Sequence, residues 1–485
     1  MSFRRGACPA LSAPMLTGDG LLVRLATAGE AFQPAAALAL CEAADRHGNG
    51  LVEITARGNF QIRGLTADSA AALASDIAAL ELGLRDGVPV ETNPLAGLDP
   101  TATANAAPLA RAIREAVDGT DLAARLAPKV SVVVDGGGMN GLSALSADVR
   151  ITAVRNGKAE AWLISTGSDA SAATPLGIAV NDAAAQAATL AILDVLAAKG
   201  SSARARDLAA AEFDGLSASL VSQRSLAPPS VLPDISPSGG EIGYRMDVRR
   251  SPAAQSRLRA GGRPISPLEG ERSGRTEGGT SAEPMANDGP IPLSDGRFAL
   301  CVALPFGSIR AIELTEFLDE ARQHATELRF APGRAALLLC NSEAAALAIR
   351  DIAEKAGLIT SASDPRARIF ACPGSTGCAS GHIAAREIAA AVARELGDSE
   401  DADFQLHISG CPKGCAHPAP ASLTLVGTEH GPLVVENGAA RAGGIPFANQ
   451  DIAARLASTI RDRANSQSRA ETRRKPHPTH AFAGE

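Results

Sequence analysis

Apolar and polar positions along the chain form two matching stretches, each of which predicts a strand, a helix and a second strand. The first is GDGLLVRLATAGEAFQPAAALALCEAADRHGNGLVEITARGNFQIRGL at 18–65, and the second is SDGRFALCVALPFGSIRAIELTEFLDEARQHATELRFAPGRAALLLC at 294–340. Asp19 precedes Asp295 by 276 residues and Arg57 precedes Arg334 by 277, so the register holds to within one residue. The chain therefore contains an internal repeat.

A second pair of stretches follows the first. KVSVVVDGGGMNG (129–141) with ADVRITAVRNGKAEAWLIS (147–165) matches FQLHISGCPKGCAHP (404–418) with ASLTLVGTEHGPLVVENG (421–438). Their valine, isoleucine and threonine are typical of strands. We expect two small open-faced α+β units and two larger ones, related by a pseudo-twofold axis. The predicted domains are 10–88, 100–220, 293–360 and 365–462.

Two segments lack any apolar period. Residues 226–292 are dense in proline, glycine, serine and arginine, which predicts a disordered linker or insertion. Residues 463–485 have the same character and predict a disordered tail, so His477 and His480 are expected to be tail residues.

Composition narrows the function. The 485 residues carry a net charge of −7 and a pI near 5.7 without a basic stripe, which argues against nucleic-acid binding. No apolar run is long enough to span a membrane, and MSFRRGACPALSAPM is too short and too broken by proline for a secretory signal. We expect a cytoplasmic protein. In that reducing compartment a cysteine cluster favours metal binding or catalysis over disulfides.

Four of the eight cysteines lie in two turns rich in glycine and proline, ACPGSTGCASGHIAA (371–385) and HISGCPKGCAHPAP (407–420). Cys372 and Cys378 are separated by five residues, and Cys411 and Cys415 by three. These spacings fit zinc knuckles poorly, whereas a 4Fe-4S cluster can be reached from two such loops. Four cysteines that merely pack are the alternative. An amphipathic helix is predicted after Cys378, with Ser380 as its N-cap and its dipole towards the cluster.

The cysteines are confined to one half of the duplication, because the first half has DGGGMNG where the second has SGCPKGC. A single metal site is therefore expected. The other four cysteines have no partner at ligand spacing and are expected to pack, most of them in apolar elements: Cys8, Cys41, Cys301 and Cys340.

C-x5-C followed by G-C-x3-C on a duplicated frame resembles the sirohaem-dependent sulfite and nitrite reductases. The resemblance covers nearly the whole chain outside the two excluded segments. It implies an α+β fold of nitrite/sulfite reductase-like architecture, with two ferredoxin-like half-domains and two larger α+β domains. It also implies a 4Fe-4S cluster bound by the cysteines of the two turns, the last of which bridges to sirohaem iron in that family. Those ligands would be Cys372, Cys378, Cys411 and Cys415.

The same resemblance assigns cationic side chains to the tetrapyrrole carboxylates or the substrate anion. These are Arg24 in LLVRL, Arg57 and Arg63 in TARGNFQIRG, and Lys129 before VSVVVDGGG. Guanidinium groups suit such carboxylates because they donate two parallel hydrogen bonds. The alternative for each is a solvated surface charge.

Departures from the reductase pattern indicate a branch of this superfamily. The reductases normally have two closely spaced lysines, but here Lys129 is the one basic residue at the start of the strand VSVVVDGGG, and Ser131 stands where the second is expected. No basic residue lies beside Asn93. NPLAGLDP, VVVDGGG and LRFAPGRAALLL instead resemble the precorrin-3B synthases, although Gly333 stands where relatives often have tryptophan. The resemblance implies hydroxylation of precorrin-3A at C20 with γ-lactone formation in aerobic cobalamin biosynthesis, using dioxygen and an external electron donor.

The resemblance further implies a mononuclear non-haem iron, for which imidazole and carboxylate are the expected ligands. His417 is the first choice, ahead of His382 and His407, and Asp135 and Asn140 lie in the symmetry-related loop. Sirohaem is expected only if the chain is a sulfite or nitrite reductase, and a non-catalytic iron-sulfur tetrapyrrole-binding protein is the third possibility. No GxGxxG opens a helix, so a built-in nicotinamide site is not expected.

Overall fold

A computed structural model describes residues 9–27, 29–84, 87–156, 159–225, 288–397 and 404–474. Most of the predicted linker 226–292, together with Cys8, His477 and His480, lies outside these ranges.

The first half of the chain contains ten strands and six α-helices in its described part. The strands are β1 (Met15–Thr17), β2 (Gly20–Leu25), β3 (Ala31–Phe32), β4 (Leu51–Ile54), β5 (Phe60–Leu65), β6 (Val90–Thr92), β7 (Val132–Asp135), β8 (Val149–Asn156), β9 (Ala159–Thr166) and β10 (Thr174–Ala179). The helices are α1 (Pro34–His47), α2 (Ala67–Ala79), α3 (Ala107–Asp118), α4 (Leu122–Arg125), α5 (Asp182–Lys199) and α6 (Ala210–Ser225).

The described part of the second half adds ten strands and four α-helices. The strands are β11 (Ile291–Pro292), β12 (Phe298–Ala303), β13 (Ser308–Arg310), β14 (Ala325–Ala331), β15 (Ala335–Cys340), β16 (Ile369–Ala371), β17 (Leu406–Ser409), β18 (Ala421–Val426), β19 (Leu433–Gly438) and β20 (Ile445–Pro446). The helices are α7 (Ala311–Ala321), α8 (Glu343–Lys355), α9 (Ala385–Leu396) and α10 (Ile452–Arg474).

The two half-domains exchange strands. Their sheets have the orders β1-β2-β5-β4-β13 and β11-β12-β15-β14-β3, so each sheet is completed by a strand from the other half. Ile309 pairs with Val52, and Phe32 pairs with Leu328. Side chains of both half-domains form one hydrophobic core. Because burial of apolar surface is the main stabilising contribution, neither half-domain is independent of the other.

The β4–β5 and β14–β15 turns of the half-domains pack against each other. The Gly333 amide donates to the Ala56 carbonyl. Gly58 has a φ of +83°, and a Cβ added there would lie 2.7 Å from the carbonyl carbon of Ala331. Glycine is required because no side chain fits so close to another backbone.

The two larger sheets repeat the same topology. Their orders are β10-β9-β8-β7-β6 and β16-β17-β18-β19-β20. In each, three strands run parallel (β6-β7-β8 and β16-β17-β18) and the strands that follow pair antiparallel. Helices α3 and α5 pack with the first sheet, and α9 packs with the second and with α10. The predicted duplication is therefore present in both pairs of units.

Three element boundaries differ from those predicted: the start of α9, the start of the first larger domain and the end of α10. Helix α9 begins at Ala385 with Ala384 as N-cap, so Ser380 caps no helix there. Instead the Ser380 hydroxyl accepts a hydrogen bond from Lys413 at 2.9 Å. Strand β6 precedes residue 100, where the first larger domain was predicted to begin, but it belongs to that domain's sheet.

Helix α10 extends to Arg474, into the segment 463–485 that was predicted to be a disordered tail. Its alanine, arginine, glutamine and glutamate have high intrinsic helix propensity. The prediction missed this helix because it relied on an apolar period, which the segment lacks. Residues 475–485 lie outside the described ranges.

Candidate functional site

The cysteines follow two neighbouring parallel strands. Cys372 comes directly after β16, and Cys411 comes two residues after β17. The carboxyl ends of parallel strands lie at the same sheet edge, so the loops 372–381 and 410–417 meet there. The fold thus brings together two cysteine pairs that are more than thirty residues apart in sequence.

Glycines allow these two loops to touch backbone to backbone. The Gly410 amide donates to the Cys372 Sγ at 3.1 Å, and the His382 amide donates to the Gly410 carbonyl at 2.7 Å. A Cβ on Gly410 would lie 2.8 Å from the Cα of Gly374 in the other loop. Larger residues at these positions would force the loops apart.

The four thiols lie within electrostatic range of one another. Burial raises the pKa of Cys372, and the charge of Cys415 adds to that rise. Burial likewise raises the pKa of Cys411, to which Cys415 and Cys378 both contribute. None of the four forms a disulfide. The thiolates of both loops therefore share one region.

This donor set fits a cluster better than a single ion. Nowhere in the described ranges do three or more histidine, cysteine or acidic side chains converge on one point, as the four protein ligands of a structural zinc site do. A 4Fe-4S cluster spreads four thiolates over four iron atoms, so its ligands surround a volume instead of a point.

The remaining described cysteines lie elsewhere, in α1, β12 and β15, and are buried as expected: Cys41, Cys301 and Cys340. Burial raises the pKa of Cys301 to about 12, so this thiol stays protonated at neutral pH.

A charged sheet face of the first half-domain lies against the loop that carries Cys378. Glu53, Gln61 and Arg63 point to one side of β4 and β5, and each is less than a tenth exposed. Arg24 of β2 donates to the Gln61 Oε1 at 2.8 and 3.1 Å. Gln61 in turn donates to Glu53. Arg63 donates two hydrogen bonds to Asp19, at 2.8 and 2.9 Å. We call Arg24, Glu53, Gln61 and Arg63 the polar face.

Direct contacts join the polar face to the cysteine loop. Arg63 donates to the Gly377 carbonyl, next to Cys378. Arg386 of α9 forms an ion pair with Glu53 at 2.5 Å. Burial alone would raise the pKa of Glu53, but the guanidinium groups of Arg386 and Arg63 outweigh it and hold that pKa below its usual range.

The symmetry-related interface has a different character. There the sheet of the second half-domain packs on the first larger domain through an apolar cluster that includes Cys301, Leu337 and Leu95. Ion pairs of Glu327 with Arg297 and Arg329 lie on the same sheet face, and Arg329 donates to the Pro94 carbonyl. Charged groups are therefore present at both interfaces, but Glu53 and Arg63 of the polar face are more deeply buried. A buried charged surface is costly to build, which points to a charged ligand there.

Arg57 is directed away from the cysteine loops. It forms an ion pair with Glu91 of β6 at 2.5 Å and donates to the Ser146 carbonyl. Arg334 repeats this arrangement in the second half, where it donates to the Ala416 carbonyl at 2.7 Å and lies 5.4 Å from the Phe370 ring centroid. Arg63 thus contacts a cysteine loop and Arg24 lies on the same sheet face through Gln61, whereas Arg57 contacts the first larger domain.

Lys129 precedes β7 and lies at the amino end of that strand, whereas the cysteines follow the carboxyl ends of β16 and β17. Asp135, at the carboxyl end of β7, accepts hydrogen bonds from the Gly137 and Leu142 amides and so holds its own turn together.

Two buried histidines lie beside the cysteines. His407 of β17 and His417 are both fully buried, with ring centroids 5.7 Å apart. Phe370 stacks on His417 at 4.4 Å. Burial lowers the pKa of His407 to about 3 and that of His417 to about 4, and Arg334 contributes to both shifts. Both rings are therefore neutral at pH 7. His382, in contrast, is exposed.

Sequence reasoning did not single out Glu53, Arg386 or Arg334. Glu53 lies in LVEITARG, where a polar residue alternating with apolar ones predicts a solvated face. Only the contact with a helix more than 300 residues away shows its role.

Comparisons with known proteins agree with this fold. The nitrite/sulfite reductase ferredoxin-like half-domain family matches residues 13–80. The structure of the NirA protein of Mycobacterium tuberculosis has a TM-score of 0.63 and 18% sequence identity, and the match covers 91% of this chain and 79% of that one. The protein therefore has the duplicated α+β architecture of the nitrite/sulfite reductases, as the sequence predicted.

A precorrin-3B synthase of a Sinorhizobium species is 35% identical over 452 residues, which are 93% of this chain and 86% of that protein. The chain belongs to the precorrin-3B synthase family of enzymes, and the predicted family is confirmed. No helix in the described ranges is long and apolar enough to cross a membrane.

Proposed function

We propose that this protein is an oxidoreductase that hydroxylates precorrin-3A at C20 and closes a γ-lactone from an acetate side chain, consuming dioxygen and reducing equivalents. The observation that carries this proposal is the 35% identity to a precorrin-3B synthase along nearly the whole chain. The polar face supports it, since a precorrin is fringed with carboxylates.

The substrate is proposed to bind between the polar face and the cysteine loops. Gln61, which accepts two hydrogen bonds from Arg24, is a neutral amide. A substrate carboxylate can therefore replace it without leaving an anion unpaired, and the charged pair would be stronger. Arg63 is held rigidly by Asp19 and Gly377, which fixes the distance between the sheet and the loop. Arg57 would have to release Glu91 before it could bind substrate, and Lys129 remains a prediction.

Cys372, Cys378, Cys411 and Cys415 are proposed to hold a 4Fe-4S cluster. Their thiols form no disulfide, and they lie on two loops that meet, close enough for Cys415 and Cys378 to raise the pKa of Cys411. The cluster would pass electrons from an external donor to the tetrapyrrole site. The glycine contacts between the loops keep the spacing of the cysteine pairs fixed, and Lys413 ties the second loop to Ser380 of the first.

A mononuclear non-haem iron is proposed to supply dioxygen activation, with His417 as one ligand. Its ring is neutral, which is the form that binds metals. We propose a cytoplasmic location, where the cysteines of the two loops would stay reduced.

Turnover of precorrin-3A tests this function. Purified protein with an electron donor should consume precorrin-3A in air and form a product heavier by one oxygen atom, and it should form none without oxygen. A sirohaem spectrum in the resting protein, with reduction of sulfite or nitrite and no precorrin turnover, would contradict the proposal in favour of a reductase.

A further inference from the structure

His407 and His417 form a buried pair with too few protein partners. Both rings are 0% exposed, neither nitrogen of His407 has a hydrogen-bond partner within the described ranges, and His417 has a backbone contact with Pro420 alone. Buried polar groups are nearly always hydrogen-bonded, because leaving one unpaired is costly. Three of the four ring nitrogens therefore point to a guest between or beside the rings.

The first larger domain shows how the same fold satisfies its buried polar groups. Its sheet repeats the second in order and register, so that the pair Val133 and Arg150 corresponds to His407 and Thr424. Arg150 is 2% exposed, and two of its three nitrogens, Nη1 and Nη2, donate to the Leu142 and Leu145 carbonyls of the loop that covers it, while its Nε has no partner. In the second domain the covering loop carries His417 instead.

The surroundings of the pair favour a metal ion over a water molecule. A buried water usually makes about three hydrogen bonds. Here the neighbours include the Phe370 ring, and the Thr424 hydroxyl already donates to the Gly438 carbonyl at 2.7 Å. Two imidazoles alone would leave a water short of partners. A metal ion accepts an electron pair from each of the two neutral imidazoles and needs no hydrogen-bond partner from the apolar neighbours.

The separation of the rings suits shared coordination. A nitrogen–metal bond of about 2.1 Å places the centroids of two imidazoles on one ion about 5 to 6.5 Å apart. The observed centroid distance is 5.7 Å, with ring planes inclined by 60°. Gly414, with a φ of +64°, lies over His407 and lets the loop cover the pair closely.

We infer that His407 and His417 together bind one divalent first-row transition-metal ion at a site separate from the four cysteines. This inference rests on the proposed function only in its final step, the identification of that ion as the iron of the reaction. It adds His407 as the second ligand and limits the protein's contribution to two nitrogens, since no third histidine, cysteine or acidic side chain converges there within the described ranges.

Arg334 is a positively charged group near both histidines. Its guanidinium contacts Phe370 and the Ala416 carbonyl, and its charge reaches both rings. This charge opposes a bound cation, so replacing it should strengthen metal binding. Arg334→Met should therefore strengthen metal binding, whereas replacing a histidine ligand should weaken it.

The test uses the full chain with its iron-sulfur cluster reconstituted, freed of other metal by a chelator and titrated with Zn²⁺. The chain has eight histidines, so the ring nitrogens can be followed by ¹⁵N NMR with labelled histidine. We expect one Zn²⁺ per chain and coordination shifts at one ring nitrogen in each of two histidines. His407→Phe and His417→Phe keep a ring but remove the ligand, and each should weaken binding by about tenfold or more. His382→Gln, an exposed histidine beside the same loops, should bind as tightly as the wild type.

The inference is overturned if the folded wild type binds no Zn²⁺ beyond the cluster, or if the shifted resonances belong to other histidines. The NMR measurement on the wild type decides the matter even if a phenylalanine variant does not fold. Loss of precorrin turnover with intact Zn²⁺ binding would instead count against the proposed function alone.

Discussion

Individual side chains on the polar face combine charge with burial. Glu53, Gln61 and Arg63 are at most 6% exposed, and Glu53 lies between two guanidinium groups. Removing one member of such a buried pair is expensive because the other charge is left without compensation. Glu53 is therefore the residue that holds the first half-domain to the helix following the cysteine loop.

Replacement of Glu53 should have a pH-dependent cost. The pKa of Glu53 is lowered below its ordinary value of 4.5, so its contribution to stability is present above about pH 4.5 and is lost as the pH falls through the lowered pKa. Glu53→Gln should destabilise the protein by about 3 to 5 kcal/mol at pH 7. Thermal unfolding from pH 7 to pH 3 should show the difference from wild type shrinking in acid. A difference independent of pH would contradict this account of Glu53.

Cysteine substitutions should separate ligands from packing residues. Cys411→Ser should lose most of the bound iron and acid-labile sulfide, because serine is a poor replacement for a thiolate ligand. Cys301→Ala, in β12, should keep both at the wild-type level. Equal iron and sulfide contents in the two variants would refute the assignment of the cluster.

Arg24 should contribute to substrate binding and little to the chemical step. A hydrogen bond to a charged group is worth about 1.5 to 3 kcal/mol, so Arg24→Gln should raise KM by about tenfold to a hundredfold with kcat nearly unchanged. Arg46→Gln is the matched control, since Arg46 is 61% exposed and pairs with Asp76 at the surface. If the two variants have the same KM for precorrin-3A, Arg24 does not bind substrate.

Site residues could be predicted from the sequence where their spacing is distinctive. Cys372, Cys378, Cys411 and Cys415 were predicted as one group, and the structure places both loops at one sheet edge. Arg57 and Arg24 look alike in sequence, and only their partners, Glu91 and Gln61, distinguish them. His417 was ranked ahead of His407 because its loop was expected to face the tetrapyrrole. That the buried nitrogens of His407 have no hydrogen-bond partner is visible only in three dimensions.

At the scale of elements, the turns between strands decide how the half-domains fit together. Gly58 and Gly333 lie in turns that pack against each other, and their positive φ angles are readily adopted only by glycine. The packing of these two turns therefore depends on backbone contacts that tolerate no added side chain.

Gly58→Ala should destabilise the half-domain pair by about 2 kcal/mol or more, because it combines an unfavourable φ with a clash against Ala331. Gly215→Ala supplies the control within the same chain. Gly215 lies inside α6 with open space around it, so alanine there should be stabilising by about 1 kcal/mol. Denaturant midpoints measure both effects, and a neutral Gly58→Ala would contradict the close packing of the turns.

Element types followed from periodicity, but their ends and partners did not. The strand-helix-strand repeats at 18–65 and 294–340 were predicted and are present. The exchange of β3 and β13 was not predicted, since strands of two and three residues leave no periodic signal. The start of α9 was placed too early because Ser380 resembles an N-cap, whereas its hydroxyl binds Lys413.

The whole molecule combines a symmetric frame with an asymmetric site. Both halves share topology, and Arg57 and Arg334 make matching contacts to the larger domains. Cysteines, buried imidazoles and the polar face occur on one side, while the symmetry-related interface combines an apolar cluster with the less buried ion pairs of Glu327 with Arg297 and Arg329. The duplication was visible in sequence. The pairing of the first half-domain with the second larger domain was not, because it depends on how distant parts of the chain pack.

The structure of the reconstituted protein crystallised with precorrin-3A in the absence of oxygen tests the central claim most directly. The account predicts a 4Fe-4S cluster bound to the four cysteine sulfurs and a macrocycle between the cysteine loops and the polar face, with one carboxylate on Arg24. A macrocycle bound elsewhere, or four cysteine sulfurs that share no cluster, would contradict it.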